Sequence, residues 1–211
     1  MNKEQFILAA KELGIELTEE QLIKLNNFYK LLVEWNEKIN LTRITEEEDV
    51  YLKHFYDSLT IAKVVDLSTK KTLCDVGTGA GFPGIVLKIV YPNLKITLVD
   101  SLLKRVNYLN TIIKDLGLEN IQAIHSRGED FKEKFDIVTA RAVANIEKLL
   151  GFTMHLVNKD GLFIAMKGNI SEEMTESVIN KINKKYKIED INSFLLPIEN
   201  SNRSLVVIKN K

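Results

Sequence analysis

A glycine-rich segment, residues 75–84, constrains this 211-residue chain more than any other feature. Gly77, Gly79 and Gly81 stand at alternate positions in it. The backbone there carries few side chains and can adopt positive φ angles. An apolar, strand-like run precedes the segment, and the helix-like run 85–90 follows it. A strand, a glycine turn and a helix N-terminus in this order favour the binding of a nucleotide-like ligand.

Strand-like and helix-like runs alternate after residue 70. The predicted strands span 71–76, 95–100, 120–124, 135–140, 160–166, 186–195 and 203–209. The predicted helices span 83–90, 102–116, 145–157 and 171–184. This alternation predicts an α/β protein with a Rossmann-like, seven-stranded, mostly parallel sheet. No helix is predicted between the last two strands, so a hairpin near 199–202 would make the last strand antiparallel.

The sequence before residue 70 predicts only helices. The first spans 3–13 and ends at Gly14. Capping-box sequences at Thr18 and Thr45 open two more helices, and the last of these runs to about Val64. We therefore expect an N-terminal helical extension over 1–69 and a ligand-binding domain over 70–211.

The composition excludes several classes of protein. Lys and Arg total 29, as do Asp and Glu, so an RNA partner would need a local basic face. The one cysteine, Cys74, excludes an internal disulfide framework. The chain has no apolar run of about 18 residues that would predict a membrane span. Its first residues do not resemble a secretory signal, so we expect a cytoplasmic protein, and no metal site is predicted.

Two cofactor patterns overlap in the glycine segment. Residues 79–84 satisfy the dinucleotide pattern G-x-G-x-x-G, which is weak evidence by itself. Asp75 followed by the three alternate glycines resembles motif I of the S-adenosylmethionine-dependent methyltransferases, in which the acidic residue lies near the methionine part of the cofactor. Asp100 ends the next strand, where a carboxylate can accept hydrogen bonds from ribose hydroxyls. This role fits either cofactor, so Asp100 predicts an adenosine ligand only.

The fourth strand ends at Arg141, and its sequence limits the chemistry. The Asn/Asp-Pro-Pro-aromatic sequence typical of exocyclic-amine methyltransferases is missing after it. Cys74 lies in the first predicted strand, where a buried hydrophobic role is favoured over a nucleophilic one. These omissions indicate an acceptor that is already nucleophilic, such as guanine N7, which needs alignment and no general base. Arg141 could hold a cofactor carboxylate, an RNA phosphate or a guanine edge.

Several segments together resemble the RsmG (GidB) methyltransferase family over nearly the whole chain. They are 75–84, 99–105, 126–129, 140–142 and 166–168, with 35–42 and 54–58 in the helical extension. Members of that family are bacterial enzymes that methylate N7 of a guanine in 16S (small-subunit) ribosomal RNA. The resemblance therefore implies S-adenosylmethionine as the cofactor and small-subunit RNA, the 30S subunit or an assembly intermediate as the partner.

The resemblance also implies a set of site residues. Gly128 and Glu129 would lie against the adenine, and many relatives carry a larger residue than glycine at the first of these positions. Arg141 would serve both the cofactor and the reaction. The full predicted cofactor set is Asp75, Gly77, Gly79, Gly81, Phe82, Asp100, Ser101, Leu102, Gly128, Glu129 and Arg141.

Other assignments stay open at this point. His54 and Asp57 could share a helix face and either dock the extension or contact the RNA or the methionine end of the cofactor. The basic residues that could contact RNA phosphates are Lys70, Lys71, Lys104, Arg105, Arg141, Lys167, Lys184 and Lys185. We expect a monomer. An NAD-dependent oxidoreductase and a non-catalytic RNA-binding module on the same fold are the alternative functions.

Overall fold

The computed structural model describes residues 1–69 and 71–211. Lys70, which is both a predicted RNA contact and the first residue of the predicted domain, lies outside the described residues. In the part of the chain that the structure describes, no helix is long and apolar enough to cross a membrane.

Seven strands form one sheet in the order β3-β2-β1-β4-β5-β7-β6. The strands are β1 Thr72–Val76, β2 Lys95–Asp100, β3 Ile121–His125, β4 Phe135–Arg141, β5 Val157–Lys167, β6 Tyr186–Leu195 and β7 Asn202–Asn210. The β1 to β5 ladders are parallel, and β7 lies antiparallel between β5 and β6. The predicted Rossmann-like sheet with an antiparallel last strand is confirmed.

Helices cover both faces of the sheet. They are α1 Lys3–Glu12, α2 Glu19–Ile39, α3 Glu47–Val50, α4 Asp57–Leu59, α5 Gly84–Val90, α6 Leu103–Asp115, α7 Ile146–Thr153 and α8 Glu176–Lys185. The N-terminal helices share one hydrophobic core with α5, α6 and alternate sheet residues such as Leu73 and Leu98. The other face of the sheet packs on α7 and α8 through residues such as Cys74 and Phe163. Cys74 is fully buried, as the hydrophobic interpretation expects.

The third predicted helix differs from the expected continuous α-helix. It begins at Glu47, and its N-cap residue Glu46 makes no side-chain capping bond, so the capping box expected at Thr45 is wrong. The π-helical segment Tyr51–Tyr56 joins α3 to α4, and a 3₁₀ turn, Thr60–Lys63, ends the run. Five of the six π-helical residues are buried, which indicates that tertiary packing holds the widened turn.

Two other boundaries differ from the prediction because of local backbone effects. β5 begins at Val157, whereas the sequence predicts a strand over 160–166. Gly161 lies inside β5, where the pairing with β4 shifts register. A side chain there would meet the Asp136 carbonyl at 2.9 Å, so glycine permits the close approach. α8 begins only after Thr175, whose hydroxyl caps it, rather than at 171.

Candidate functional site

The predicted site residues lie at the carboxyl ends of the parallel strands, where ligands collect in open α/β sheets. Two clefts open along this edge. The first, here the β2 cleft, has a volume of about 360 Å³ and is bounded by the ends of β1 and β2 and by residues 126–129. The second, here the β4 cleft, has a volume of about 380 Å³ and lies between the end of β4, the π-helical segment and β7.

The glycine loop between β1 and α5 needs its glycines for internal reasons as well. Gly77, Gly79 and Gly81 all have positive φ, at 70°, 61° and 97°. A methyl group added to Gly77 would lie 2.7 Å from Val143 Cγ2, and Gly84 has no free space either, because Leu98 lies at 2.2 Å from such a group. Any side chain at these two positions would therefore displace the packing around the loop.

Asp75 is a buried organiser of this loop. Its Oδ2 atom accepts hydrogen bonds from the Thr78 hydroxyl at 2.7 Å and from the Gly84 amide at 2.9 Å. Its Oδ1 atom has no hydrogen-bond partner among the described residues, although it is buried. Burial raises the pKa of Asp75 to about 6, against the lowering effect of those two hydrogen bonds. An orphaned buried oxygen of this kind is costly unless a ligand donates to it.

Asp100 links the loop to the start of α6. Its Oδ2 atom accepts from the Gly79 amide at 3.0 Å and from Arg105 Nη1 at 3.4 Å. Its Oδ1 atom accepts from the Leu102 amide at 2.9 Å. The carboxylate is almost completely buried, so these donors fix its position at the floor of the cleft.

The β2 cleft brings together six of the predicted cofactor residues: Gly77, Asp100, Ser101, Leu102, Gly128 and Glu129. Gly128 has no room for a side chain, because an added methyl group would lie 3.0 Å from the Phe152 carbonyl oxygen. The other five predicted residues, Asp75, Gly79, Gly81, Phe82 and Arg141, do not line this cleft.

Phe82 is packed in the core between the loop and the extension. Its ring stacks on His54, with centroids 4.4 Å apart, and also contacts Phe28. Its amide donates to the Thr78 carbonyl at 3.1 Å. Both the ring and the amide therefore have partners inside the protein.

Arg141 lines the β4 cleft and crosses from β4 to the extension. Its Nη1 atom donates to Asp57 Oδ2 at 2.9 Å and to the Lys53 carbonyl at 3.0 Å, and its Nη2 atom lies 3.1 Å from His54 Nδ1. The guanidinium also lies over the Phe82 ring at 5.2 Å.

Asp57 joins two arginines that are distant in sequence. Arg203 Nε, at the start of β7, donates to Asp57 Oδ1 at 2.8 Å, while Arg141 holds Oδ2. The carboxylate is 5% exposed, so its charge is neutralised by these guanidiniums rather than by water. Sequence reasoning missed Arg203, because 146 residues separate it from Asp57.

His54 is a neutral hydrogen-bonding residue in this arrangement. Arg141 can only donate, so His54 Nδ1 accepts and Nε2 carries the proton toward Thr42 Oγ1 at 3.0 Å. Burial, together with the Arg141 charge, lowers the pKa of His54 to about 3. His54 and Asp57 therefore do dock the extension, and they do so at the wall of the β4 cleft.

The basic residues are less available than the sequence suggests. Lys167 pairs with Glu173 at 3.0 Å and donates to the Ala144 carbonyl. Lys71 donates to the Asp66 carbonyl at 3.2 Å. Lys184 and Lys185 are the last two residues of α8, and β6 begins directly after them. The start of β6 lies at the amino ends of the parallel strands, whereas the clefts lie at the carboxyl ends. Lys104 is exposed near the β2 cleft.

Within residues 1–69 and 71–211, no group of three metal-ligating side chains occurs.

Comparison with known proteins shows the family. The family model described as rRNA small subunit methyltransferase G (GidB) matches residues 21–205. The chain belongs to this family. A ribosomal RNA small subunit methyltransferase G from Oceanobacillus iheyensis is 47% identical over 220 residues, which cover 100% of this chain and 92% of the relative. The protein of the same name from Bacillus licheniformis is 48% identical over 99% of this chain and 90% of its own length.

Solved structures support the fold. A ribosomal protein L11 methylase from Lactobacillus delbrueckii subsp. bulgaricus matches with a TM-score of 0.56 and 17% identity, over 75% of this chain and 79% of that one. The structure of MtNAS in complex with MTA and tNA matches with a TM-score of 0.61 and 16% identity, over 90% and 74% of the two chains. These identities are too low to carry more than the architecture.

Proposed function

We propose that this protein is an S-adenosylmethionine-dependent methyltransferase that methylates N7 of a guanine in small-subunit (16S) ribosomal RNA. The observation that carries the proposal is the match of residues 21–205 to the rRNA small subunit methyltransferase G family. The two adjoining clefts agree with it, because methyl transfer needs a donor site and an acceptor site side by side.

The residues of the β2 cleft fit the proposed cofactor. When bound, S-adenosylmethionine supplies an electrophilic methyl group on a sulfonium sulfur. Asp100 would accept from the ribose hydroxyls, in competition with Arg105, its most distant donor at 3.4 Å. Gly128 and Glu129 would lie against the adenine. Asp75 does not line this cleft, but its buried Oδ1 has no partner among the described residues and would accept from a donor at the cationic methionine end.

The β4 cleft fits a guanine that needs no deprotonation at the reacting atom. Arg141 and Arg203 place two guanidiniums on its wall, and guanidiniums are the usual partners of the guanine O6 edge and of phosphates. Asp57 is held by both arginines, and Arg141 occupies the acceptor nitrogen of His54, so neither is free to act as a general base. We propose that Arg141 positions the acceptor from the wall of the β4 cleft and also contacts the cofactor, because Val143, two residues further along the chain, lines the β2 cleft.

The remaining assignments are proposals of the same kind. We place the cofactor domain at 70–211 and the extension at 1–69, and we infer a monomer that acts in the cytoplasm. The oxidoreductase and the non-catalytic module are not favoured, because the family is one of methyltransferases.

The test is a methyl-transfer assay with purified protein, methyl-labelled S-adenosylmethionine and small ribosomal subunits from cells that lack the enzyme. We expect one labelled methyl group per subunit, recovered as 7-methylguanosine after nuclease digestion. Subunits from cells that have the enzyme serve as the control and should accept no label. The proposal would be overturned if subunits from cells that lack the enzyme accepted no label, or if the label appeared in another nucleoside.

A further inference from the structure

The turn between β6 and β7 has a tightly defined and unusual backbone. The Leu196 amide donates to the Ser201 carbonyl at 2.9 Å, and the Glu199 amide donates to the Pro197 carbonyl at 2.8 Å. The second bond closes a γ-turn around Ile198, whose φ is +71°. Leu196 is fully buried and anchors the turn. The backbone hydrogen bonds and buried Leu196 therefore hold Ile198 in a fixed position at the apex of the turn.

A β-branched residue at this φ is strained, and glycine or asparagine would adopt the conformation more easily. Burial does not compensate here, because Ile198 is 58% exposed and its neighbour Leu195 is 54% exposed. Strain held at an exposed apolar apex indicates a contact that the isolated chain does not make.

The apex stands at the rim of the β4 cleft. Phe194 and Arg203, which flank the turn, line that cleft. Glu199 Oε1 lies 3.4 Å from Lys53 Nζ, and Lys53 directly precedes His54 in the chain. A third cavity, distinct from both clefts, has a volume of about 320 Å³ and extends along β6. It shares Asn169, Arg203 and Ser204 with the β4 cleft.

The chemistry of this rim favours RNA bases over a protein partner. A guanine in an A-form stack must leave it before side chains can reach N7, and the gap that it leaves is unfavourable unless something fills it. Nucleic-acid-binding proteins insert apolar wedges such as Ile or Leu between base steps, and the same side chains suit such a gap. Two exposed apolar side chains are too few for the core of a stable protein interface.

We propose that the β6–β7 turn docks the bases beside the acceptor guanine, with the Ile198 side chain inserted in the gap that the guanine leaves. This inference rests on the proposed function and adds a substrate-docking residue to it. Ile198 makes no contact with the methyl donor in this scheme and acts only on the RNA.

The experiment compares Ile198→Asn with Ile23→Asn, since Ile23 is a similarly exposed isoleucine on α2 outside both clefts. Asparagine adopts positive φ readily, so the turn should survive. Initial methylation rates are measured at limiting concentrations of small subunits from cells that lack the enzyme, and they give kcat/KM. Calorimetry with S-adenosylhomocysteine gives the cofactor affinity. The dependence of subunit binding on salt concentration separates apolar from ionic contacts.

We expect Ile198→Asn to lower kcat/KM about 10-fold or more, from loss of the wedge, with unchanged cofactor affinity and an unchanged salt slope. Its thermal midpoint should equal or exceed the wild-type value. Ile23→Asn should keep the full rate. A full rate in Ile198→Asn, with the wild type active, would overturn this inference alone. An inactive wild-type protein would overturn the proposed function and this inference with it. Ile198→Gly repeats the test should the asparagine variant misfold.

Discussion

The two clefts share one edge of the sheet but are built in opposite ways. The β2 cleft contains two glycines, Gly77 and Gly128, and one buried carboxylate, Asp100, that accepts from main-chain amides. The β4 cleft contains an ion-pair cluster in which buried Asp57 of the extension holds half-buried arginines from β4 and β7. The first arrangement depends on local backbone geometry, whereas the second depends on side chains that are distant in sequence. Substitutions should therefore affect the two clefts separately.

The largest effect should come from Asp57→Ala, which leaves Arg141 and Arg203 without their shared partner. Breaking a buried ion pair in this way costs about 3–5 kcal/mol of unfolding free energy. Urea unfolding gives that value, and methylation of subunits should fall at the same time. Glu34→Ala, which breaks the exposed pair with Lys38, is the control and should change little.

The cofactor affinity of the same variant shows whether the clefts are independent. Where Asp57→Ala stays folded, its affinity for S-adenosylhomocysteine should fall much less than its methylation rate, because Arg141 is the one proposed cofactor contact that Asp57 holds. A loss of cofactor affinity as large as the loss of methylation would show that the two clefts are one energetic unit.

A smaller effect, confined to the other cleft, should follow from Gly77→Ala. The added methyl group would meet Val143 Cγ2 at 2.7 Å on a backbone at φ +70°. Strain of about 1–3 kcal/mol converts to a roughly 5- to 150-fold weaker binding of S-adenosylhomocysteine, if the loop yields to relieve it. Calorimetry measures this directly.

The matched control is Gly117→Ala, because Gly117 has φ +59° and open space around its added methyl group. It should lose some stability and keep the cofactor affinity. Equal binding by both variants and the wild type would mean that the glycine loop does not form the cofactor site.

The effect with the least influence on ligand binding concerns Asp75 and takes the form of a dependence of stability on pH. Burial raises the pKa of Asp75 to about 6 from 3.8. The neutral carboxyl therefore stabilises the fold fully below pH 3.8, and this contribution is lost as the pH rises through 6. We expect Asp75→Asn to remove about 3 kcal/mol of that pH dependence, since the pKa is raised by about two units and one unit corresponds to about 1.4 kcal/mol.

Unfolding in urea at a series of pH values between about 4 and 7 measures the effect. As the pH rises, the free energy of unfolding of the variant should increase relative to that of the wild type. Identical curves for the two proteins would show that Asp75 stays ionised in the native state throughout this range.

The sequence predicted the β2 cleft better than the β4 cleft, for a physical reason. The glycines and Asp100 act through local backbone geometry, which a strand–turn–helix pattern reveals. The Asp57–Arg203 pair spans 146 residues, so no local pattern marks it. The π-helical segment that carries His54 was also missed, because packing creates the widened turn. The start of β5 was predicted three residues late, because the strand contains Gly161, which permits a close approach to β4 inside the strand.

The place of Arg203 in the chain has a consequence for biosynthesis. The ribosome makes every residue of the β2 cleft before it makes α8, β6 and β7. The β2 cleft can thus begin to form on the nascent chain. The β4 cleft stays incomplete until β7 emerges, because only then does Arg203 reach Asp57. A chain released before β7 would contain every residue of the β2 cleft and lack one wall of the β4 cleft.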